Sequence, residues 1–329
     1  MGASETICQV IPARYVTRSQ RRHVLTCNIF PLFCTMFAFV IMPWFSPGLG
    51  GLSMLMVMWV LTLGVGGSIG FHRYFTHRAF ETHTLVRFVL AVLGSMAALG
   101  PVIAWVVTHR RHHEHSDKAG DPHSPHLYGL GLRNALLGLW HAHIGWLWEH
   151  DMPNPSHYAP DLLKDKVIIW INRNYYYWVF LGMALPSIIG GLIAGTWVGA
   201  LTGFLWGGPV RIFVTTQIVW SINSVGHMLG TRRYSTDESS RNNVWLAIPS
   251  FGEAWHNNHH AFPTSAALGH RWWELDLGWL LICTMKALGL VWDVRLPKPL
   301  KSGRQVSIVP PPISEGSAPG SDVVSEGQA

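Results

Sequence analysis

Residues 50–77 of the 329-residue chain read GGLSMLMVMWVLTLGVGGSIGFHRYFTH. The first part is an almost purely apolar run, and roughly 20 such residues are enough to cross a bilayer as a helix. The run ends directly in two histidines, His72 and His77. We therefore predict a membrane-spanning helix at residues 49–71 that delivers two imidazoles to one surface of the membrane.

Other parts of the chain repeat this apolar pattern. Three further runs are long enough to span a bilayer, and they lie at residues 24–46, 175–195 and 197–225. Residues 85–107 are also apolar, but Arg87 and Gly100-Pro101 interrupt them. For this segment we predict a helix or a helix pair along the membrane surface, because the histidine motifs on either side of it must meet on one side of the membrane.

These spans divide the chain into three parts. A polar segment at 1–23 precedes a membrane domain at 24–300, and a low-complexity segment rich in Pro, Ser and Gly follows at 301–329. Segments of this last composition bury too little apolar surface to fold, so we expect the tail to be disordered.

Composition and charge agree with a membrane protein. Hydrophobic residues make up 49% of the chain, charged residues only 13%, and the mean hydropathy is +0.21, which disfavours a disordered chain or an ordinary soluble enzyme. Of the 24 Lys and Arg residues, only Arg211 lies within a predicted span, and the others fall in segments that four spans place on one side. By the positive-inside rule that side is cytoplasmic, and we expect both termini there. No stripe of Lys and Arg is present, so topology rather than nucleic-acid binding accounts for the net charge of +6.

Histidines form three clusters among the 19 in the chain. Besides His72 and His77, the motif HxxHH occurs in THRRHHEHSD at 108–117 and again in EAWHNNHHAFP at 253–263. On a helix, residues three and four apart share a face, so each HxxHH motif sends three imidazoles into one volume. His72 and His77 are five residues apart, which is a poorer match to a single helical face.

Eight clustered histidines on one side of a membrane indicate metal binding. A lone histidine in an apolar setting is usually a core residue, but that interpretation does not explain three clusters. No cysteine is placed to complete a structural zinc site, and the number of imidazoles suits two metal ions. Imidazole is compatible with Zn, Cu, Fe and Ni, so ligand type alone does not select iron.

Further polar residues near the clusters are candidates for the same site. Asn223 and His227 lie at i and i+4 at the end of the fourth predicted span, where a polar pair is costly unless it has a function; a helix-end hydrogen bond is the alternative. Asp117 and Asp121 are the carboxylates that we expect to accept hydrogen bonds from metal-bound imidazoles. The remaining histidines, His123 among them, match no ligand spacing and are interpreted as structural or surface residues.

The sequences around these motifs resemble the membrane fatty acid desaturases, specifically the acyl-CoA Δ9 (stearoyl-CoA type) branch and its bacterial relatives. The matching stretches are GFHRYFTHRAF (70–80), THRRHHEHSDKAGDPH (108–123), HAHIGWLWEH (141–150), NSVGH (223–227) and GEAWHNNHHAFPTSA (252–266). The three histidine motifs alone are shared with other membrane di-iron enzymes, including sterol and carotenoid oxygenases. The NSVGH and GExxHNxHH forms are more specific.

This resemblance implies an all-α integral membrane protein, with four transmembrane helices and a cytoplasmic helical cap that holds a histidine-rich di-iron site. One Fe²⁺ would be bound by His72, His77, His109, His113 and His259. The other would be bound by His112, His227, His256 and His260, with Asn223 reaching it through a water molecule. In the family, aromatic residues at two further positions line the acyl channel, which here points to Trp105 and Trp220; interface or core tryptophan is the alternative.

The implied activity is O₂-dependent insertion of a cis double bond, expected at Δ9, into a saturated long-chain acyl thioester. Acid–base side chains cannot attack an unactivated CH₂–CH₂ bond, so the metal carries the difficult step. The acyl group would be attached to CoA, acyl carrier protein or a lipid. Neither end of the chain resembles a fused haem-binding cytochrome b5 domain, so we expect a separate electron donor of the ferredoxin or cytochrome b5 type.

Two other hypotheses remain open at the level of sequence. The same site could hydroxylate its substrate, form an acetylenic bond, desaturate at another position, or oxidise a sterol or carotenoid. Alternatively the protein could transport or store metal ions. A transporter is expected to place its ligands near the bilayer midplane, whereas these histidines lie at span ends and in polar segments.

Overall fold

The computed structural model describes residues 9–148 and 150–297. The predicted tail at 301–329 and the first part of the predicted segment 1–23 lie outside these described residues. The helices in chain order are Ala13–Ile41 (α1), Gly48–Thr76 (α2), Thr84–Met96 (α3), Val102–His115 (α4), Leu132–His143 (α5), Pro155–Tyr158 (α6), Lys166–Arg173 (α7), Tyr175–Ala194 (α8), Trp197–His227 (α9), Val244–Ala247 (α10), His256–Ala261 (α11) and Leu277–Ala287 (α12). Short 3₁₀ turns lie at Gly145–Leu147 and Leu162–Lys164.

Four of the described helices, α1, α2, α8 and α9, are long and apolar enough to cross a membrane. The prediction of a mostly helical membrane protein with four long apolar helices is confirmed. The bounds of the helices differ from those of the predicted spans: α1 begins earlier, at Ala13, and ends earlier, at Ile41, and α2 continues to Thr76. The backbone hydrogen bonds of a helix do not require apolar side chains, so a helix can include polar residues on either side of an apolar run. Its ends are set by residues such as Pro12, which directly precedes α1, and by the turn before Gly48.

The segment predicted to lie along the membrane surface is the helix pair α3 and α4. Gly100, at φ +117°, separates them, and Pro101 stands immediately before α4. Glycine adopts this backbone conformation without steric cost, and proline is well tolerated at the start of a helix. The break turns the chain so that the histidine end of α4 meets the histidine end of α2.

We call the described segments outside the four long helices the cap. Two pairs of very short antiparallel strands join parts of the cap that are distant in sequence. The first pair joins Val10–Ile11 (β1) to Met152–Pro153 (β3), and the second joins Glu81–Thr82 (β2) to Val291–Trp292 (β4). The first pair holds the start of α1 against the segment that follows α5. The second pair holds the end of the described chain beside the segment between α2 and α3.

Wide, π-helical turns run through Val60–Thr76 in α2. At the end of this stretch the His77 amide donates to the His72 carbonyl over 3.2 Å, an i→i+5 bond. Such a turn places residues five apart above one another, and it brings the two imidazole ring centroids to 4.8 Å. The spacing that fits an α-helical face poorly therefore fits this helix well.

A buried arginine near the end of α2 fastens the membrane helices to the cap. Arg73 donates to both carboxylate oxygens of Asp276 at 2.8 and 3.1 Å and to Glu253 at 3.1 Å. It also donates to the backbone carbonyls of Ala266 and Phe251 at 2.6 and 2.9 Å. Its side chain is only 1% exposed, so these five bonds replace the water that the guanidinium loses on burial.

Candidate metal centre

The structure brings the nine candidate ligand histidines together in two groups where the membrane helices meet the cap. In each group, one nitrogen from every histidine lies within 4.8 Å of the others. The five-histidine group contains His72, His77, His109, His113 and His259, and the four-histidine group contains His112, His227, His256 and His260. The division is the same as the one that the family resemblance implies.

Helical spacing explains how α4 and α11 serve both groups. On α4, His109 and His113 are four residues apart and face the five-histidine group, whereas the adjacent His112 faces the other group. The HxxHH motif of α11 divides in the same manner. The helix α2 contributes only to the five-histidine group, and α9 contributes only to the four-histidine group.

The ring nitrogens are too crowded to be satisfied by hydrogen bonds alone. The Nε2 atom of His259 lies 3.0 Å from that of His72 and 2.9 Å from that of His113, which lies 3.0 Å from that of His109. The four-histidine group shows the same Nε2 spacing, 3.0 and 3.1 Å. A neutral imidazole carries a single N–H, so converging nitrogens leave lone pairs facing one another. A metal ion about 2.1 Å from each nitrogen would place neighbouring ligands about 3 Å apart, which fits both groups.

Two further nitrogens point to the same conclusion. Among the described residues, the buried Nε2 atoms of His77 and His112 have no hydrogen-bond partner. An unpaired buried polar atom is costly, and metal binding removes that cost. The donor set of each group therefore fits a metal ion.

The carboxylates predicted to orient the imidazoles are in place. The Nδ1 atom of His112 lies 3.0 Å from both oxygens of Asp121, and Nδ1 of His227 lies 3.0 Å from Asp117. Glu253 pairs in the same way with Nδ1 of His72. In each case the carboxylate contacts the nitrogen that faces away from the group, so it fixes the ring and leaves Nε2 free for a metal.

Burial and neighbouring imidazoles keep most of these histidines neutral. Burial lowers the pKa of each well below its usual value, and repulsion from the other rings lowers it further, for His109, His113, His256, His259 and His260. Neutral imidazole is the form that binds metals. The protein therefore holds these ligands ready for a cation at neutral pH.

The paired carboxylates behave in the opposite way. Burial alone would raise the pKa of Asp117 and Asp121, but hydrogen bonds and attraction from His227 and His112 lower both values below the ordinary one. For His112, burial lowers the pKa, but the attraction and hydrogen bond of Asp121 more than offset this, and the net pKa is raised. Both aspartates are ionised and balance part of the positive charge that two metal ions would bring.

Two neighbouring cavities lie beside the histidine groups. The outer cavity, of about 250 Å³, is lined by residues that include Trp105, Trp220, Asn223 and His109. The inner cavity, of about 50 Å³, is lined by His72, His256, Ser68, Glu253, Leu63, Gly67 and Ile222. The two share Leu99, Trp105, His109, Val219 and Asn223. Trp105 and Trp220 therefore line the outer cavity, and Trp105 stacks on His109 with ring centroids 5.1 Å apart.

Some residues near the site were not singled out by the sequence. Glu238 lies 3.9 Å from Nδ1 of both His227 and His260. His123, interpreted from sequence as structural or surface, is buried with its ring 4.4 Å from that of His112, and burial lowers its pKa to about 3. Glu238 precedes α10 by several residues and has no spacing relation to any histidine motif. Only the fold reveals its position.

Two more histidines, also without ligand spacing, brace the end of α9. His126 contacts the backbone carbonyl of His227 at 2.9 Å. His143 contacts Ser224 at 3.0 Å and Gln217 at 3.1 Å through its two ring nitrogens. They are structural in this position, but what they support is a ligand helix.

Known proteins share the sequence of most of this chain. A model of the fatty acid desaturase family matches residues 50–282. The chain is 50% identical over 285 residues to a hex-5-enoyl-(acyl-carrier protein) acetylenase from Moorena producens, covering 86% of this chain and 88% of that one. It is 38% identical to an sn-1 stearoyl-lipid 9-desaturase from Anabaena variabilis, covering 74% and 82%, and 35% identical to an acyl-CoA C20 Delta5-desaturase from Anemone leveillei, covering 70% of each chain.

The matched region contains all the elements that build the site. Residues 50–282 include α4, α9 and α11 and nearly all of α2, and with them the nine histidines of the two groups. Sequence identity and the arrangement of the imidazoles thus agree. This chain belongs to the fatty acid desaturase family.

Proposed function

We propose that the protein uses a non-haem di-iron centre, O₂ and two external electrons to remove two hydrogens from neighbouring carbons of a fatty acyl thioester. The observation that carries this proposal is the convergence of nine imidazoles beside an apolar cavity. A metal store needs ligands, but it does not need a cavity lined by tryptophans at the same place. An oxidase of an apolar chain needs both.

In this proposal each histidine group holds one Fe²⁺, and Asn223 reaches the second ion through water. When bound, the two ions supply the activation of O₂ and the oxidation of an unreactive C–H bond, which no side chain can perform. Nitrogen ligands alone do not exclude Zn or Cu. The desaturase family and the apolar substrate cavity support iron.

The protein's own residues position the chain and exclude water. Trp105 and Trp220 would form the walls that hold the acyl group extended next to the histidine groups. Holding the reacting carbons close to the oxidising centre lowers the entropic cost of bringing the reacting groups together. These apolar walls would also keep bulk water away from the reacting carbons.

A second candidate outcome is an acetylenic bond. The relative at 50% identity is an acetylenase, and an acetylenase removes two hydrogens from a double bond as a desaturase removes them from a single bond. Both outcomes need the same ions and the same electrons. The sequence-based expectation of Δ9 draws support from the 9-desaturase relatives, but other relatives are named for carbon 5, so the family by itself does not fix the position.

The carrier of the acyl group is proposed to be an acidic protein docked on α1. Arg14, Arg18 and Arg22 are exposed and recur at i, i+4 and i+8, and α1 has no acidic residue in its first turn. Arg22 also lines the outer cavity. A basic helix at a cavity mouth attracts a negatively charged partner. The double variant Arg14→Glu/Arg18→Glu should raise KM for an acyl carrier protein substrate and leave KM for a small acyl thioester unchanged; an equal effect on both would count against docking here.

The site is proposed to face the cytoplasm, with both termini on that side. A ferredoxin or a cytochrome b5 would supply the electrons there. The basic segments that flank the spans support this orientation. They also suit an acidic electron carrier.

The test combines metal analysis with product analysis. Detergent-purified protein should contain about two irons per chain, and cells or reactions supplied with acyl substrate, O₂ and a reduced donor should yield an unsaturated acyl product. His113→Ala and His260→Ala should each abolish turnover while the protein still inserts in the membrane, because insertion depends on the apolar helices. His157→Ala, which removes an exposed histidine outside both groups, is the matched control. Full activity of either ligand variant at equal protein level would contradict the assignment.

A further inference from the structure

A short apolar segment of the cap, between α9 and α11, presents apolar side chains on its outer surface. Residues 244–251 read VWLAIPSF and contain no charged residue. The side chains of Val244, Trp245 and Ile248 are 59%, 86% and 53% exposed. Neighbouring exposed apolar side chains of this size mark a surface that contacts something other than water.

The same segment also packs apolar side chains against the inside of the cap. Ala247 is 1% exposed and belongs to a small buried cluster. Its partners in this cluster are Ala254, Trp255 and Leu268. A short helix that is apolar on all sides is normally covered on all sides. The outer face of the apolar segment therefore calls for a partner beyond the cap residues that the structure describes.

Contacts with α2 place the apolar segment at the level of the membrane. The ring of Phe251 packs on Gly64, where an added Cβ would lie 2.6 Å from it, and its centroid lies 4.7 Å from that of Trp59. Two residues further on, Glu253 accepts a hydrogen bond from Ser68. Trp59, Gly64 and Ser68 all belong to the apolar run of α2, which is long enough to cross a bilayer. The segment thus reaches the bilayer rather than standing above it.

Exposed apolar surface continues from the long helices to the segment. On α2, Leu61 is exposed, and so is Leu229, which comes directly after the end of α9. The side-chain amide of Asn243 donates to the Leu229 carbonyl at 3.4 Å, and α10 packs against α9. The most exposed side chain of the segment is that of Trp245, and tryptophan is enriched where hydrocarbon meets water.

We propose that the apolar segment lies in the bilayer interface, on the side of the membrane that carries the histidine groups, with Val244, Trp245 and Ile248 in contact with lipid. This inference goes beyond the proposed function and depends on neither metal nor substrate. Lipid is favoured over a second protein as the cover, because the contacts with α2 hold the segment at the bilayer. Apolar side chains removed from water in this way stabilise the arrangement.

The segment also leads directly into a ligand helix. Its last residue, Phe251, is followed by Glu253, which contacts His72, and then by α11 with His256 at its start. Contact with the bilayer therefore fixes the height of α11 at the membrane. The imidazoles of α11 and those of α2 are held at one level, although α11 does not cross the membrane.

The deciding experiment measures what surrounds position 245. Trp245→Cys is labelled with an environment-sensitive fluorophore and reconstituted as single chains in phosphatidylcholine nanodiscs. Ser235→Cys, at an exposed position in the polar stretch between α9 and α10, is the control. The signal from the parent protein's own cysteines is subtracted from both.

We expect a spin-labelled lipid to remove most of the fluorescence at position 245, and iodide in the water to leave it unchanged. Position 235 should show the reverse pattern. Quenching at position 245 by iodide would show contact with water, and protection from both quenchers would show a cover made of protein. Either result would overturn the inference.

A second measurement uses stability instead of a label. Ile248→Asp should lower the thermal midpoint in nanodiscs by a few degrees, because a charged side chain is costly in lipid and nearly neutral at a surface that faces water. Ile248→Asn, polar but uncharged, should lower it less, which separates the charge from the lost packing. Ser235→Asp should leave the midpoint unchanged. Equal midpoints for Ile248→Asp and Ile248→Asn would contradict the placement in lipid.

Discussion

Three of the candidate ligands, His72, His112 and His227, use their two ring nitrogens for different tasks. In His112 and His227, Nε2 faces the other imidazoles, while Nδ1 contacts a carboxylate at 3.0 Å. The carboxylate selects the tautomer and stops the ring from turning. The ligands and their carboxylates thus form one functional unit. Changing a carboxylate should therefore weaken metal binding by the imidazole that it contacts, without removing that imidazole.

The first prediction concerns these carboxylates. Asp121→Asn and Asp117→Asn keep the shape of the side chain but remove the charge, and each should weaken iron binding about 10–100-fold. Iron retention is measured by dialysis against a graded chelator. Asp237→Asn, at an exposed position between α9 and α10, should retain iron like the unaltered protein. Equal retention by all three variants would show that the carboxylates do not act on the metal.

A second prediction at this scale concerns pH. Burial raises the pKa of Asp161, but hydrogen bonds from Arg110 and Arg78 more than offset this and lower it to about 2. The unfolded value is about 3.9, so the ionised group stabilises the fold above that pH, and the contribution disappears as pH falls through about 2. After discounting for solvent screening, the effect is on the order of 1 kcal/mol.

Thermal unfolding in detergent measures this contribution. Asp161→Asn should lower the midpoint at pH 7, and the difference from the unaltered protein should shrink between about pH 4 and pH 2. Asp237→Asn, at an exposed carboxylate elsewhere in the chain, provides the comparison. A pH-independent difference for Asp161→Asn would mean that its charge is not responsible.

At the scale of elements, α2 is both a membrane helix and the anchor of the cap. Its last turns carry His72 and Arg73, and His77 follows directly after its last residue. The five bonds of Arg73 reach Asp276, Glu253 and two backbone carbonyls. Glu253 in turn contacts His72. Glu253 therefore connects the metal ligand His72 to the buried Arg73.

This link predicts a large loss of stability when one partner is removed. Asp276→Asn leaves the Arg73 guanidinium buried without its main counter-charge, which typically costs about 3–5 kcal/mol. The thermal midpoint of the detergent-purified protein should fall clearly. Asp293→Asn, an exposed carboxylate in the same C-terminal region, should leave the midpoint unchanged. If Arg73→Met/Asp276→Asn were as unstable as Asp276→Asn alone, an unpaired charge would not be the cause.

Much of the helical architecture was predictable from the apolar runs, and part of it was not. Four spans follow from the length and composition of those runs. The same logic could not foresee that α2 winds in π-helical turns, so the spacing of His72 and His77 looked unfavourable for one face. Within these turns the backbone of Gly66 lies so close to that of Gly94 that an added Cβ would lie 2.2 Å from the Gly94 nitrogen. This close approach depends on the packing of α2 on α3.

The site shows the same division. The two histidine groups coincide with the sets implied by family resemblance, because motif spacing on α4 and α11 determines which imidazoles share a face. Glu238 and His123 escaped notice because they come from irregular segments. Their positions depend on tertiary contacts that a one-dimensional pattern does not contain.

For the whole molecule, the arrangement of the long helices predicts one functional face. The turns between α1 and α2 and between α8 and α9 lie at the ends of the helices opposite to the histidines. The predicted orientation places these turns outside the cell membrane and the cap inside. A membrane-impermeant thiol reagent applied to intact cells should label Ser46→Cys and not Ser156→Cys, after subtraction of the labelling of the parent protein. The reverse pattern would invert the proposed orientation.

The distribution of ligands over α2, α4, α9 and α11 has a consequence for how the protein is made. Residues of both groups come from α11, so neither set of ligands is complete until the ribosome has synthesised the chain as far as His260. The membrane helices must insert and find one another before any ion can be retained. Iron shortage should therefore leave finished, inserted chains waiting for metal rather than halt their synthesis, and a later supply of iron should activate them without new translation.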